Sequence, residues 1–267
     1  MLARALETWW VELGSPEPFT VVEAGAGRGA LGAAILKACQ VPLRYVAVER
    51  SAALRGDAAV ADLPGEPFVG VVVANELLDN LPFGLLERTT EGWAEVRVDE
   101  ALREVLVPAV GPSVEAEVGA RVPVQRAAGA WVEKALDLVT VGRVVVFDYA
   151  DTTASMARRP WTDWVRTYRG HARGRHPLDD LGAQDITCEV AVDQLPPPTS
   201  DRSQADFLRA HGLDELVEEA RRSWRERAHV GDLQALVHRS RIAEAAALTD
   251  PTGLGAFRAL EWVSTGR

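Results

Sequence analysis

Val21-Val22-Glu23-Ala24-Gly25-Ala26-Gly27-Arg28-Gly29 is the stretch whose reading decides the fold. A β-branched run ends on an acid, three glycines follow at alternate positions, and Leu31 and Ile35 begin an apolar pattern at helical spacing. Strand, glycine turn and helix in that order make the first strand-to-helix turn of an open parallel sheet, where glycines let the backbone approach a ligand. A second acid, Glu49, lies 20 residues past Gly29 and is placed to accept hydrogen bonds from ribose hydroxyls. A nucleoside-bearing ligand is expected at this turn.

Working outward, Leu2, Leu6, Trp9 and Leu13 fall on one helical face before Gly14-Ser15-Pro16 breaks the pattern. Strand one is expected over 18–23, its helix over 30–39 and strand two over 45–49. Ser51 would cap a short helix containing Leu54, and Val60-Ala61-Asp62 would form a short third strand. Phe68 to Ala74 is almost unbroken in apolar residues, as in a central strand buried on both faces. Residues 84–107 alternate around Gly92-Trp93 and read as a hairpin insertion. A helix is expected over 124–139, then a strand Val144 to Phe147 ending at Asp148-Tyr149. From 152 to about 195 the pattern weakens, as in functional loops. Pro196-Pro197-Pro198 reads as a stiff linker, followed by helices over 203–223 and 232–247, the second capped by Asp232, and a final strand from Phe257 to Val263. The order gives an α/β, doubly wound, Rossmann-like sheet within a single domain over 1–267, with a second, substrate-side insertion over 152–200.

The net charge of −10 argues against nucleic-acid and anionic-membrane partners, which need clustered Lys and Arg, and leaves room for a cationic substrate. No apolar run is long enough to span a membrane. Met1 leads straight into an amphipathic pattern, so a signal peptide is not expected. The two cysteines, Cys39 and Cys188, have no metal-ligand spacing and fit a reducing cytoplasm, with no metal expected.

Gly25 to Ala30 also satisfies the dinucleotide pattern G-x-G-x-x-G/A, but three details favour S-adenosylmethionine. Glu23, two residues before the first glycine, suits the methionine ammonium of that cofactor and would serve a pyrophosphate poorly. The glycines alternate at 25, 27 and 29. Asn75-Glu76 follows the fourth strand, where the transferred methyl would lie. Asp62 is a candidate for the adenine amino group, or a turn-forming Asp before Leu63-Pro64.

Asn75, Glu76 and Asp79 would share one face of a helix starting there. Two carboxylates beside a sulfonium could grip a guanidinium, fix its plane and leave the remaining nitrogen as nucleophile. The competing reading is helix N-terminal capping by acids. The segment lacks the N-P-P-aromatic pattern of nucleobase amino-methyltransferases.

Four blocks together resemble the MidA family of class I S-adenosylmethionine-dependent methyltransferases, which includes the mitochondrial complex I assembly protein arginine methyltransferase. Glu23 to Gly29 resembles the family's E-L-G-P-G-R-G. Tyr45 to Ser51, with Leu54-Arg55, resembles its second-strand block. Ala74-Asn-Glu-Leu-Leu-Asp-Asn-Leu-Pro82 resembles A-N-E-F-F-D-A-L-P. Phe147-Asp-Tyr149, Arg166-Thr-Tyr-Arg-Gly-His171 and Asp185-Ile-Thr187 resemble its D-Y-G, L-R-x-Y-x-x-H and D-I-T segments. The resemblance implies a seven-stranded class I sheet, cofactor contacts at Glu23, Gly25, Gly27, Gly29 and Glu49, and Asn75, Glu76 and Asp79 by the methyl. It implies that Tyr168, His171 and Asp185 border the substrate cleft.

His171 could assist proton removal or be a simple surface residue, and Asp148 and Tyr149, at the end of strand five, could either contact substrate or anchor a loop. The family's G-D-F and T-S-P-E-I blocks are absent from this sequence, so the site would either be wetter and slower or be closed by a partner or a second copy. The reading is a methyltransferase acting on arginine in a protein. The alternatives are a small-molecule methyltransferase, or a binding or assembly module that keeps the fold without turnover.

Overall fold

The computed structural model describes residues 1–170 and 172–266, which divide into two compact units. Unit one comprises Met1–Asn75, Ala135–Phe147 and Pro198–Arg267, and unit two Glu76–Lys134 and Asp148–Pro197.

Unit one is built on a six-stranded sheet. Its strands are β1 (Thr20–Ala24), β2 (Arg44–Val48), β3 (Phe68–Asn75), β4 (Val139–Asp148), β5 (Ser200–Ser203) and β6 (Arg258–Thr265), in the spatial order β5-β6-β4-β3-β1-β2. β1, β2, β3 and β4 pair in parallel, and β5 runs antiparallel to β6. Val21, Val22, Val71 to Ala74 and Val144 to Val146 are fully or almost fully buried, which is why these strands read as continuous apolar runs. Helices α1 (Leu2–Glu12) and α2 (Ala30–Ala38) pack one core cluster with β1, in which Leu6, Trp9 and Ile35 meet Phe19 and Val21.

Among the described residues the seventh strand is replaced by a single bridge. Val60 pairs with Val48 alone, and Asp62 already lies in an exposed bend. The segment between β2 and β3 is rich in Ala, Gly and Pro, with too few apolar residues to bury a strand. No helix forms after Ser51 either; the residues to Leu54 make a hydrogen-bonded turn. The long helix expected over 203–223 is two helices, Gln204–Ala210 and Leu213–Arg227, divided at Gly212. Asp232 caps the next helix, Leu233–Leu248, by accepting from the Ala235 amide. No described helix is long and apolar enough to cross a membrane.

Unit two holds more strand than its sequence suggested. The expected hairpin over 84–107 is part of a four-stranded antiparallel sheet in Greek-key order, Glu104–Ala109, Gly92–Val98, Gly84–Thr89 and Arg121–Val124 in space, the fourth strand returning beside the first. The last strand was hidden because it is short and contains Pro123. The weakly patterned stretch after 152 carries a second small sheet, Val165–Arg169 between Ala172–Arg173 and Asp185–Cys188. Met156, Trp164 and Cys188 fill its core. Buried Gln125 ties the parts together: its side chain donates to the Glu189 carbonyl and accepts from the Ala191 amide. The chain leaves unit two at Pro197, within the proline run.

Candidate active site

In unit one, Gly25, Gly27 and Gly29 all have left-handed φ angles, +75°, +53° and +80°. A side chain is strained there, and a Cβ on Gly27 or Gly29 would point into open space, so the turn presents bare backbone to a free volume. The turn is fastened from behind. The Gly25 and Ala26 amides donate to the Val48 carbonyl, and the Gly27 amide donates to Glu49 Oε2 at 2.8 Å. Glu49 Oε1 accepts from the Ser51 amide at 2.7 Å. Glu49 therefore holds the glycine turn as well as standing at the end of β2, and each oxygen keeps a second lone pair for a hydroxyl donor.

Glu23 is buried on β1, and its Oε2 has no hydrogen-bond partner. Burial pushes its pKa up to about 7, opposed by a hydrogen bond from the Gly32 backbone. An orphaned buried carboxylate oxygen beside a bare-backbone turn fits a ligand that brings both a cation and a nucleoside. Asn75 is the exposed last residue of β3, in register with Phe147 of β4, and the exposed Asp62 has no position in the glycine turn.

In unit two, the helix expected to carry Glu76 and Asp79 is a single 3-10 turn, Leu78–Asn80. Glu76 takes a left-handed φ of +51°, costly for a residue with a Cβ, and Leu81 must be extended before Pro82. Glu76 is exposed and Asp79 buried, bridged by Asn80, whose side chain donates to Asp79 Oδ1 at 2.7 Å and to the Glu76 carbonyl at 3.2 Å. Asp148, read from the sequence as either a substrate contact or a loop anchor, is fully buried. It accepts from the Leu78 and Asp79 amides on Oδ2 and from the Tyr149 amide on Oδ1, so it holds the 3-10 turn in place. Burial, together with repulsion from Glu76, pushes the Asp79 pKa up to about 6. Burial and Asp79 raise that of Asp148 well above the carboxylate range.

Tyr149 is half-buried, with the Arg166 guanidinium 5.2 Å from its ring centroid. Its pKa is raised by burial, then by Glu76 and Tyr168. Tyr168 pairs across strands with the exposed Asp185, and Arg173 lies over its ring. The structure therefore brings Glu76, Asp79, Tyr149 and Tyr168 into one electrostatic neighbourhood of unit two. His171 lies outside the described residues. Sequence reasoning missed Asn80 as the link between the acids, and Arg166, which binds Glu189 at 2.7 Å while covering Tyr149. An Arg two residues before Tyr168 on a strand was the available signal.

Residues 1–210 match the family described as "Putative S-adenosyl-L-methionine-dependent methyltransferase". The chain belongs to this methyltransferase family. Two crystal structures of proteins from Burkholderia thailandensis are similar to this methyltransferase at 25% identity. One, of an uncharacterised protein, has a TM-score of 0.78 and covers 98% of this chain and 77% of its own. The other, bound to S-adenosyl-homocysteine, has a TM-score of 0.75 and covers 98% and 75%. No curated protein matches. The fold is that of a class I methyltransferase, and the cofactor is S-adenosyl-L-methionine. The glycine turn with Glu23 and Glu49 fits that cofactor.

Proposed function

We propose that this methyltransferase acts on the guanidinium of an arginine in a protein, as the MidA-like sequence blocks imply. One observation carries the reading: Glu76, Asp79 and Asp148 lie in one short region of unit two, where burial first and repulsion from Glu76 second raise the Asp79 pKa to about 6, and burial and then Asp79 raise that of Asp148. A planar cation that accepts no hydrogen bonds is the group that relieves this repulsion.

The residues divide the work. Gly25, Gly27 and Gly29 would admit the adenosyl and methionyl parts to the backbone, Glu23 would meet the ammonium, and Glu49 would accept from the ribose. Bound there, S-adenosylmethionine supplies a sulfonium methyl for in-line displacement. Glu76 and Asp79 would accept hydrogen bonds from two guanidinium nitrogens and leave the third as nucleophile. Asp79, ionised above about pH 6, is basic enough to take the proton that the methylated nitrogen sheds. Asn80 and Asp148 hold Asp79 for this role. The negative net charge supports a basic protein acceptor in preference to nucleic acid. A second copy of the chain or a partner closing the site also belongs to this reading.

The test is methyl transfer to arginine-bearing peptides set against a cell metabolite extract. Arginine peptides should be methylated, at a rate that rises as pH increases through about 6 because Asp79 must be ionised to hold the cation. Glu76→Gln should cut kcat by roughly 100-fold with cofactor affinity nearly unchanged. Transfer only to small molecules, or full activity in Glu76→Gln, would overturn the arginine assignment.

A further inference from the structure

The helices Leu213–Arg227 and Leu233–Leu248 pack together as a hairpin within unit one. The hairpin is held at its base, where Arg4 donates to the Gly212 carbonyl and the second helix packs on the 3-10 turn Leu254–Ala256 that follows it. The connecting turn, residues 228–232, lies at the far end, about 22 Å along the first helix. That end leaves a cluster of aliphatic side chains in solvent. Leu233 is 81% exposed, and Val230, Leu236 and Val237 are each at least half exposed.

Leu236 and Val237 follow Leu233 by three and four residues, so the three share one helix face. Arg239 follows Leu236 by three and Arg241 follows Val237 by four, so an arginine continues each edge of the aliphatic strip. Glu244 lies further along that face and accepts from the Ser240 hydroxyl. Across residues 221–241 six arginines stand against two acids, Glu226 and Asp232, in a chain whose net charge is −10. Arg221 pairs with Glu218 and Arg227 with Asp232. Among the described residues Arg222, Arg225, Arg239 and Arg241 have no acidic partner. All four are exposed; Arg225 donates to the Arg221 carbonyl, and Arg239 lies over the ring of Trp224.

We propose that this hairpin end is a docking surface for an anionic lipid bilayer, with Val230, Leu233, Leu236 and Val237 inserted at the acyl boundary and the arginines among the lipid phosphates. An aliphatic strip edged by arginines is the pattern of an interfacial amphipathic segment, and long arginine side chains reach from such a strip to the headgroups. The whole-chain charge does not oppose this. Attraction to a surface is screened beyond about 8 Å and is set by the charges nearest to it, which here are arginines. Nucleic acid would offer phosphates to the arginines and nothing to four aliphatic side chains. A second copy docked tip to tip would set arginines against arginines. Protein interfaces draw their binding energy from aromatic residues and arginine more than from Leu and Val, and Trp224 is half-buried under Arg239.

The experiment is flotation of the full chain with vesicles of phosphatidylcholine alone and of phosphatidylcholine with about 30% phosphatidylglycerol. Wild type should bind the anionic vesicles at least about tenfold more tightly than the neutral ones, and this binding should weaken several-fold between about 50 mM and about 300 mM salt. Leu233→Ser combined with Val237→Ser should reduce it by roughly tenfold or more, and Arg225→Gln combined with Arg241→Gln by roughly tenfold. These side chains are exposed, so both double variants should keep the wild-type thermal transition and S-adenosylhomocysteine affinity. No binding to the anionic vesicles, or binding that either double variant retains in full, would overturn the proposal. A concentration-dependent dimer formed without vesicles and dissolved by Leu233→Ser would overturn it as well, because the patch would then belong to a second copy.

Discussion

Glu23 has its pKa raised to about 7 mainly by burial, and this gives it an unusual effect on stability. An acid whose folded pKa lies above its unfolded value binds its proton more tightly when folded. Its contribution is fully present below the unfolded value near 4.5 and is lost as pH rises through about 7. In ligand-free protein, Glu23→Gln should therefore be more stable than wild type at about pH 8, on the order of 2 kcal/mol, and no more stable at about pH 4. Urea denaturation at the two pH values checks this, and equal stability at both would deny the raised pKa. Such detail is invisible in sequence. The run from Glu23 to Gly29 announces a ligand turn, yet nothing in it says that Glu49 fastens the turn through Gly27 and Ser51, or that Asp148 is sealed away beneath Leu78 and Asp79. Those facts depend on residues far apart in the chain.

Elements buried on both faces were legible because burial writes itself into composition. β1, β3 and β4 are found where their valine runs lie, and the glycine turn between β1 and α2 where the glycines alternate. Elements that depend on partners were not. The helix expected after Asn75 gave way to a 3-10 turn because Glu76 goes left-handed and Pro82 extends the residue before it. The strand Arg121–Val124 exists only because Gly84–Thr89 pairs with it. Unit two depends correspondingly on side-chain bridges between its segments. Gln125→Ala would leave the buried Ala191 amide without its acceptor and should cost about 1–3 kcal/mol, read as a lower urea midpoint with an unchanged m-value. A loss below about half a kcal/mol would show that the bridge adds nothing beyond what water supplies.

At the scale of the molecule, the family is that of a methyltransferase, and the net charge of −10 supports our proposal of a protein acceptor in preference to nucleic acid. If that acceptor is a cationic protein segment, long-range attraction contributes to its capture and is screened by salt. KM for an arginine-rich peptide should rise several-fold between about 50 mM and about 300 mM salt while kcat changes little. A salt-independent KM would favour a neutral acceptor. The division into two units explains what the sequence showed of function. The glycine turn in unit one is a local motif, written in consecutive residues. The acids and tyrosines of unit two come from 76–79, 149, 168 and 185, and only a family resemblance could group them.

The central claim is that the backbone of Gly25 to Gly29 receives the methyl donor, and calorimetric titration of S-adenosylhomocysteine into wild type and Gly27→Val tests it most directly. Wild type should bind saturably, and Gly27→Val should lose binding while keeping a cooperative thermal transition, since the new side chain would fill the open space in front of the turn. Equal affinity in the two proteins would contradict the account.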